Sequence, residues 1–250
     1  MSQKETPTTK KLTDFKLLCF DCYGTLIDWE TGIYNALEPL LQRTPESRAW
    51  SKKQALETFC LVEAAIQEKD PALRYTDVLA ETYKELAKDN FGYHPSQNEA
   101  DIFAASTARW YPLPDTVDAL AELSKHYKLL VLSNTDRVIF DQSRRLLEHG
   151  FTFDEALLAE DLGHYKPDLR NFEDMLKVAK NKFGIEKDEV LVTAQSLFHD
   201  HVPANKLGLA SAWIARRDAF IGHAGPEAKY DWKFDSMGDM AATVKAGASQ

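Results

Sequence analysis

Asp21 stands directly after the apolar run Leu17-Leu18-Cys19-Phe20 and is followed by Cys22, Tyr23, Gly24 and Thr25. An apolar run without alternation reads as a short strand buried on both faces, and the residue past its end stands where open α/β sheets have their ligand crevice. A carboxylate there is a candidate nucleophile. Three further polar stations occupy comparable places. Ser133-Asn134-Thr135-Asp136 closes the run Leu129 to Leu132, Lys166 precedes Pro167 ahead of a helical pattern, and Gln195 to His201, with Asp200 inside it, follows Val190 to Thr193. Three of the four have a bland counterpart: Asp21, Ser133 and Asn134 as turn or capping residues, and Lys166 as a surface cation. The four together at strand ends argue for one crevice.

The elements that must position these residues read as alternating strands and helices, with one interruption. Residues 1–14 form a polar lead-in, and Leu17 to Phe20 the first strand. Gly32 to Leu41, Ser51 to Gln67, Tyr75 to Asn90 and Glu99 to Arg109 then carry apolar residues at helical spacing with no strand among them. From Tyr111 the alternation resumes through strands at Leu129 to Leu132, Val190 to Thr193 and Ala210 to Ala215, with a short apolar segment Ala156 to Leu158; a loop-rich end closes on a weak helix near Asp239 to Lys245. The expected fold is α/β: a Rossmann-like, doubly wound parallel sheet core formed by residues 1–28 and 111–250, with an all-helical cap, residues 29–110, inserted after the first strand. Trp29, Tyr34, Trp50, Phe59, Trp110 and Tyr111 are expected to form a core between cap and sheet, some of them lining a substrate pocket.

A net charge of -9 and the lack of a dense basic cluster argue against nucleic acid as a partner. No window resembles a membrane span, and Met1 to Lys11 lacks the apolar stretch of a secretory signal, so a cytoplasmic location is expected. Three cysteines, Cys19, Cys22 and Cys60, do not suggest a disulfide framework, and the Cys19–Cys22 pair has no second pair to complete a zinc site. His199-Asp200-His201 offers metal-ligating types, but adjacent residues rarely share one metal. Asp200 is expected inward, with one histidine lining the crevice and the other at the surface. No metal site is expected.

The DCYGTL segment at Asp21, the LSNT segment at Ser133, the Lys166-Pro167 pair and the Asp200 loop, in that order, resemble the haloacid dehalogenase superfamily, and within it the type II 2-haloacid dehalogenases. The resemblance covers nearly the whole chain. Phosphatases of the superfamily carry an acidic residue two positions after the nucleophile, where this chain has Tyr23, and another five before the final aspartate, where it has Gln195. A phosphoryl leaving group needs an acid, whereas a halide leaves as a stable anion. The resemblance therefore implies metal-independent hydrolytic dehalogenation of a 2-haloacid. Asp21 attacks the carbon bearing the halogen and inverts it, and water hydrolyses the resulting ester. Lys166 holds Asp21 ionised, and Asp200 fixes the lysine or guides the water. Thr25 and Ser133 offer hydroxyls to the nucleophile and to a substrate carboxylate, and Asn134 donates its amide to the halide. Arg48, Lys52 or Lys53 supplies a cation from the cap. Tyr23, Gln195, His199 and Phe172 complete the expected substrate contacts.

Phe172, Gln195 and Leu197 depart from the dehalogenase pattern, which carries tyrosine, serine and asparagine there. A bulkier or more apolar substrate would suit such a pocket. The alternatives are a magnesium-dependent phosphatase, a member of the scaffold recruited to cyclisation or isomerisation of a larger substrate, and a non-catalytic binding protein. No cofactor is expected outside the phosphatase reading, and the expected partner is a small-molecule substrate, compatible with a homodimer.

Overall fold

The structure, a computed structural model, describes residues 10–225 and 227–248. Six strands, β1 (Leu17–Phe20), β2 (Lys128–Ser133), β3 (Glu155–Leu158), β4 (Val190–Ala194), β5 (Ala210–Ile214) and β6 (Trp232–Phe234), form one parallel sheet in the order β3-β2-β1-β4-β5-β6. β1 is central and wholly buried. Its residues alternate between two cores, as a pleated strand requires. Leu18 and Phe20 join the larger apolar cluster, while Leu17 and Cys19 join a second one with Leu130, Leu132, Val190, Val192 and Met175. The strand order reverses at β1, with β2 on one side and β4 on the other. That reversal opens a crevice past the carboxyl ends of the strands.

Between β1 and Trp110 run five helices and no strand: α1 (Trp29–Leu41), α2 (Pro45–Arg48), α3 (Lys52–Lys69), α4 (Tyr75–Phe91) and α5 (Gln97–Ala104), followed by a 3-10 turn, Ala105–Arg109. Side-chain caps start most of them, at Asp28, Thr44, Ser51 and Ser96. The chain enters and leaves this segment side by side. Asp28 N donates to Tyr111 O at 2.9 Å, Leu113 N to Leu26 O at 2.9 Å, and Ile27 and Pro112 form an antiparallel bridge. The remaining helices are α6 (Thr116–Leu123), α7 (Arg137–Leu147), α8 (Ala159–Leu162), α9 (Leu169–Phe183), α10 (Val202–Lys206) and α11 (Met237–Ala248). No helix among the described residues is long and apolar enough to cross a membrane.

Several features differ from the sequence expectation. The region after Arg216 contains a sixth strand, and the helix expected near Asp239 to Lys245 extends over Met237–Ala248. β6 spans only three residues, too few to show a period; its pairing with β5 and the packing of Trp232 on Phe15, ring centroids 5.5 Å apart, form it. Residues 1–9 of the lead-in lie outside the described residues, but Leu12–Asp14 is a 3-10 turn anchored by buried Leu12, whose carbonyl accepts from Tyr127 Oη at 3.1 Å. Of the aromatic set, Phe59 and Trp110 are buried, whereas Tyr111 is 63% exposed.

Trp110 wedges against α1 at Gly32, where an added Cβ would stand 2.1 Å from the indole Cδ1. Gly to Ala inside a helix ordinarily stabilises it, but this indole is buried and cannot move aside. Gly32→Ala is expected to lower unfolding free energy by about 1–3 kcal/mol in urea denaturation. A stabilised variant would show that the helix gives way instead.

Candidate active site

Past the end of β1, Asp21 N continues the ladder by donating to Thr193 O at 3.2 Å. The chain then turns back on itself. Leu26 N and Ile27 N both reach Cys22 O, at 2.7 and 3.0 Å, and Gly24 takes a φ of +97°, a region that favours glycine. This turn brings Thr25 back over Asp21: Thr25 Oγ1 donates to Asp21 Oδ2 at 2.6 Å and accepts from Gln195 N at 2.9 Å. Asp21 keeps 8% exposure, and Thr25 is fully buried.

Lys166 lies at the centre of the crevice floor, 3% exposed. Its Nζ donates to Asp21 Oδ1 at 2.9 Å, to Asp200 Oδ1 at 2.7 Å and to Leu132 O at 2.9 Å, using all three ammonium protons. Burial by itself lowers the pKa of the ammonium. Asp200 and Asp21 more than offset this and hold it well above the ordinary lysine value. Two carboxylates share one cation, so one negative charge is left over. Burial pushes the Asp200 carboxyl up to about 7, Lys166 opposing and Asp21 adding to the rise. Asp200 Oδ2 is buried without a hydrogen-bond partner, as is Ser133 Oγ.

The structure brings Asp21, Lys166, Asp200 and Thr25 into direct contact, and the neighbouring expected residues take several different posts. Asn134 frames the lysine: its Oδ1 accepts from Lys166 N at 2.6 Å and its Nδ2 donates to Lys166 O at 3.0 Å. The amide expected to meet a halide is thus engaged with main chain. Tyr23 turns to α7, its hydroxyl 3.0 Å from Ser143 Oγ and its ring edge-on to Trp110. Gln195 Nε2 donates to Ile221 O at 2.6 Å, in the loop after β5. Phe172, expected as a substrate contact, is fully buried in the second apolar cluster, because α9 packs that face of its helix beneath the sheet.

Asp200 sits in a single wide turn, Leu197–His201, that directs it inward. Its two histidine neighbours separate. His199 is exposed, with Nδ1 3.1 Å from Ser196 Oγ. His201 is neither at the surface nor in the crevice but in the core, where Nε2 donates to Ala194 O at 3.0 Å and Nδ1 accepts from Ser211 Oγ at 2.9 Å. Burial lowers its pKa to about 4, against a smaller rise from the Ala194 carbonyl. Among the described residues no cluster of three or more His, Cys, Asp and Glu is arranged to hold a metal ion. Cys19 and Cys22 are buried and free, burial pushing both thiols up.

Of the three expected cations, Arg48 donates to Gln42 O and Lys53 pairs with Glu57 at the surface. Lys52 alone faces a cavity, of about 610 Å³, which is also lined by Gly24, Trp29, Glu30 and Arg216 but not by Asp21. Its ammonium meets Thr31 Oγ1 at 3.2 Å and lies over the rings of Tyr34 and Phe220. Glu30 is a residue that sequence reasoning missed. Buried at the start of α1, it accepts from Phe220 N and Ile221 N at 2.8–3.0 Å, tying the helix after the Asp21 turn to the loop that holds Gln195. An acid in a helix's first turn is too common to single it out.

Comparison with known proteins adds a family. The model for haloacid dehalogenase-like hydrolases matches residues 15–193. The (S)-2-haloacid dehalogenase of Pseudomonas putida is 27% identical over 212 residues, which cover 80% of this chain and 85% of that one. Among solved structures, the L-2-haloacid dehalogenase PA0810 superposes with a TM-score of 0.74 at 21% identity, over 93% of this chain and 99% of that one. The L-2-haloacid dehalogenase of Xanthobacter autotrophicus does so with 0.72 at 19% identity, over 92% and 98%. At such identities the superpositions speak for the fold.

His201 makes a pH-dependent contribution to stability. Its folded pKa lies below the unfolded value, so the contribution is complete above about pH 6.5 and is lost as pH falls toward 4. Between pH 7.5 and 5 the loss amounts to about 2 kcal/mol. Urea denaturation of wild type and His201→Gln at both pH values is expected to show a larger gap at pH 7.5 than at 5. An equal gap would mean that the imidazole charges freely in the folded protein.

Proposed function

The chain belongs to the haloacid dehalogenase-like hydrolases, and on that footing we propose that it hydrolyses a 2-haloacid by way of an ester on Asp21. The observation that carries this reading is the arrangement of Asp21: Lys166 at 2.9 Å on one carboxylate oxygen, Thr25 at 2.6 Å on the other, and no acid at Tyr23 or Gln195. Both carboxylate oxygens are held by hydrogen bonds, and the two positions that carry an acid in the phosphatases are Tyr23 and Gln195 here. Such a carboxylate suits displacement of a leaving group that departs as an anion.

In the proposed reaction an Asp21 oxygen attacks the halogen-bearing carbon from behind, the carbon–halogen bond breaks, and halide leaves with the bonding pair. Lys166 loses part of its Coulomb partner as Asp21 becomes a neutral ester, and Asp200 keeps the ammonium charged. Water then adds to the Asp21 carbonyl carbon, giving up a proton to Asp200. The tetrahedral adduct collapses as the proton on Asp200 passes to the departing alkoxide oxygen, which releases the 2-hydroxyacid and frees Asp200; the second water proton leaves to solvent, restoring Asp21 as a carboxylate with one oxygen from water. The chiral carbon is inverted in the first step and untouched in the second. The unpartnered Oδ2 of Asp200 and a pKa of about 7 suit a base for that water. The name of the Pseudomonas putida relative suggests an (S)-2-haloacid, and the helical segment 29–110 acts in this reading as a cap over a small-molecule substrate.

A magnesium-dependent phosphatase fits the residues less well. Magnesium demands several hard oxygen ligands in near-octahedral array. Here a lysine ammonium bridges the two carboxylates, and Gln195 is neutral and bonded to Ile221 O.

Purified protein given (S)-2-chloropropionate is expected to release chloride with EDTA present, and Asp21→Asn to lose that activity at least about 10⁴-fold. In oxygen-18 water, mass spectrometry should find the label in the Asp21 peptide. Magnesium-dependent phosphate release from a phosphate ester, with no halide release, would overturn the reading.

Hydrolysis that needs ionised Asp200 slows as acid protonates it. Between pH 8 and 6, kcat is expected to fall about tenfold with an inflection near 7. A kcat flat across that range in steady-state assays would remove Asp200 as the base.

A further inference from the structure

Arg216 stands two residues past β5, at the same end of the sheet as Asp21, and the chemistry proposed above has no role for it. Among the described residues it is the one non-glycine with a positive φ, +43°. Such backbone strains an L residue and persists only where the surroundings enforce it. Ala215 N still pairs with Phe234 O at 2.7 Å, so the turn at Arg216 is where the chain leaves the sheet.

The side chain, 9% exposed, is engaged along its whole fork. Nε and Nη2 both donate to Thr25 O, at 3.1 and 2.7 Å, and Nη2 also reaches Thr116 Oγ1 at 3.1 Å. Nη1 donates to Asp115 Oδ1 at 2.5 Å, and Asp115 Oδ2 in turn accepts from Gly238 N at 3.0 Å, at the start of α11. The guanidinium therefore links the C-terminal helix to one carbonyl of the turn after β1. That carbonyl belongs to the residue whose hydroxyl donates to Asp21 Oδ2 and accepts from Gln195 N.

We propose that Arg216 is a positioning residue for the nucleophile: it grips Thr25 by its carbonyl and so fixes Thr25 Oγ1 against Asp21 and against the strand end at Gln195. The proposal rests on the reading of Asp21 as nucleophile. A planar fork is required, because two donors must meet one carbonyl while a third reaches Asp115. A lysine is a point charge on a flexible stem and can satisfy only part of this. The strained backbone is the conformation that leaves the ladder and still delivers the fork to Thr25.

Arg216→Met and Arg216→Lys test it with two readouts. Misplacing the nucleophile should lower kcat for chloride release from 2-chloropropionate by about 10²-fold in Arg216→Met, with KM changed by less than about threefold and Arg216→Lys in between. By amide hydrogen exchange, the Gln195 N–H should lose at least about tenfold protection in Arg216→Met, while Leu18 and Leu191 in the central strands keep theirs. If Arg216→Met does not fold, Asp115→Asn, which loosens the outer anchor only, should show the same selective loss on a smaller scale. A general stabilising role would lower all three protections together, and unchanged Gln195 protection would equally overturn the proposal. If the wild type releases no halide, the dehalogenase reading fails, and the exchange measurement still decides whether Arg216 holds Thr25.

Discussion

A single ammonium group between two carboxylates, sealed from water, is the constraint on which the structure depends. Taking each ion out of water costs on the order of several kcal/mol, and the attraction among them repays that only with good geometry and no polar atom left wanting. Lys166 itself is fully satisfied, its three protons going to Asp21, Asp200 and the Leu132 carbonyl at 2.7–2.9 Å, and the one atom of the cluster left without a partner is Asp200 Oδ2. Any one of the three charges buried alone would shift its protonation or open the crevice.

The surplus charge is what gives the cluster chemical direction. One cation cannot neutralise two carboxylates, and the more deeply buried one, Asp200, carries the penalty as a raised pKa. Asp21 has a second support that Asp200 lacks, the Thr25 hydroxyl on its other oxygen. Two residues of the same type thus differ in environment, one doubly hydrogen-bonded and the other left with an open oxygen. That difference underlies the division proposed between a nucleophile and a base.

Around this cluster the frame is built largely from main-chain contacts. Asn134 clasps the Lys166 peptide groups, Glu30 the amides of Phe220 and Ile221, and Arg216 the Thr25 carbonyl. Asp136 caps α7 and also accepts from Thr76 N at 2.8 Å, so α4 is tied to the sheet beside the site. Side chains that hold backbone make the loops at the strand ends as determinate as the strands themselves.

How far the sequence alone reached follows the range of the forces involved. β1, β2 and β4 were legible because strands buried on both faces are apolar throughout, and the helices between β1 and β2 because apolar side chains recur at helical spacing. Asp21, Lys166 and Asp200 stood out for standing at the ends of such runs or in the loops between them. Phe172 and Asn134 could not be placed, since a side chain's partners depend on which way its element faces, and that is decided by packing. His201 reads the same as His199 in a chain, yet one turn of wide helix sends it to the core. β6 exists only because β5 offers an edge to three residues that could not hold a strand by themselves. Local pattern thus determined the sheet's inner strands and the three charged groups. Only the tertiary structure decided their contacts, because an ammonium finds its carboxylates, and a guanidinium its carbonyl, across 34 to 191 residues of chain.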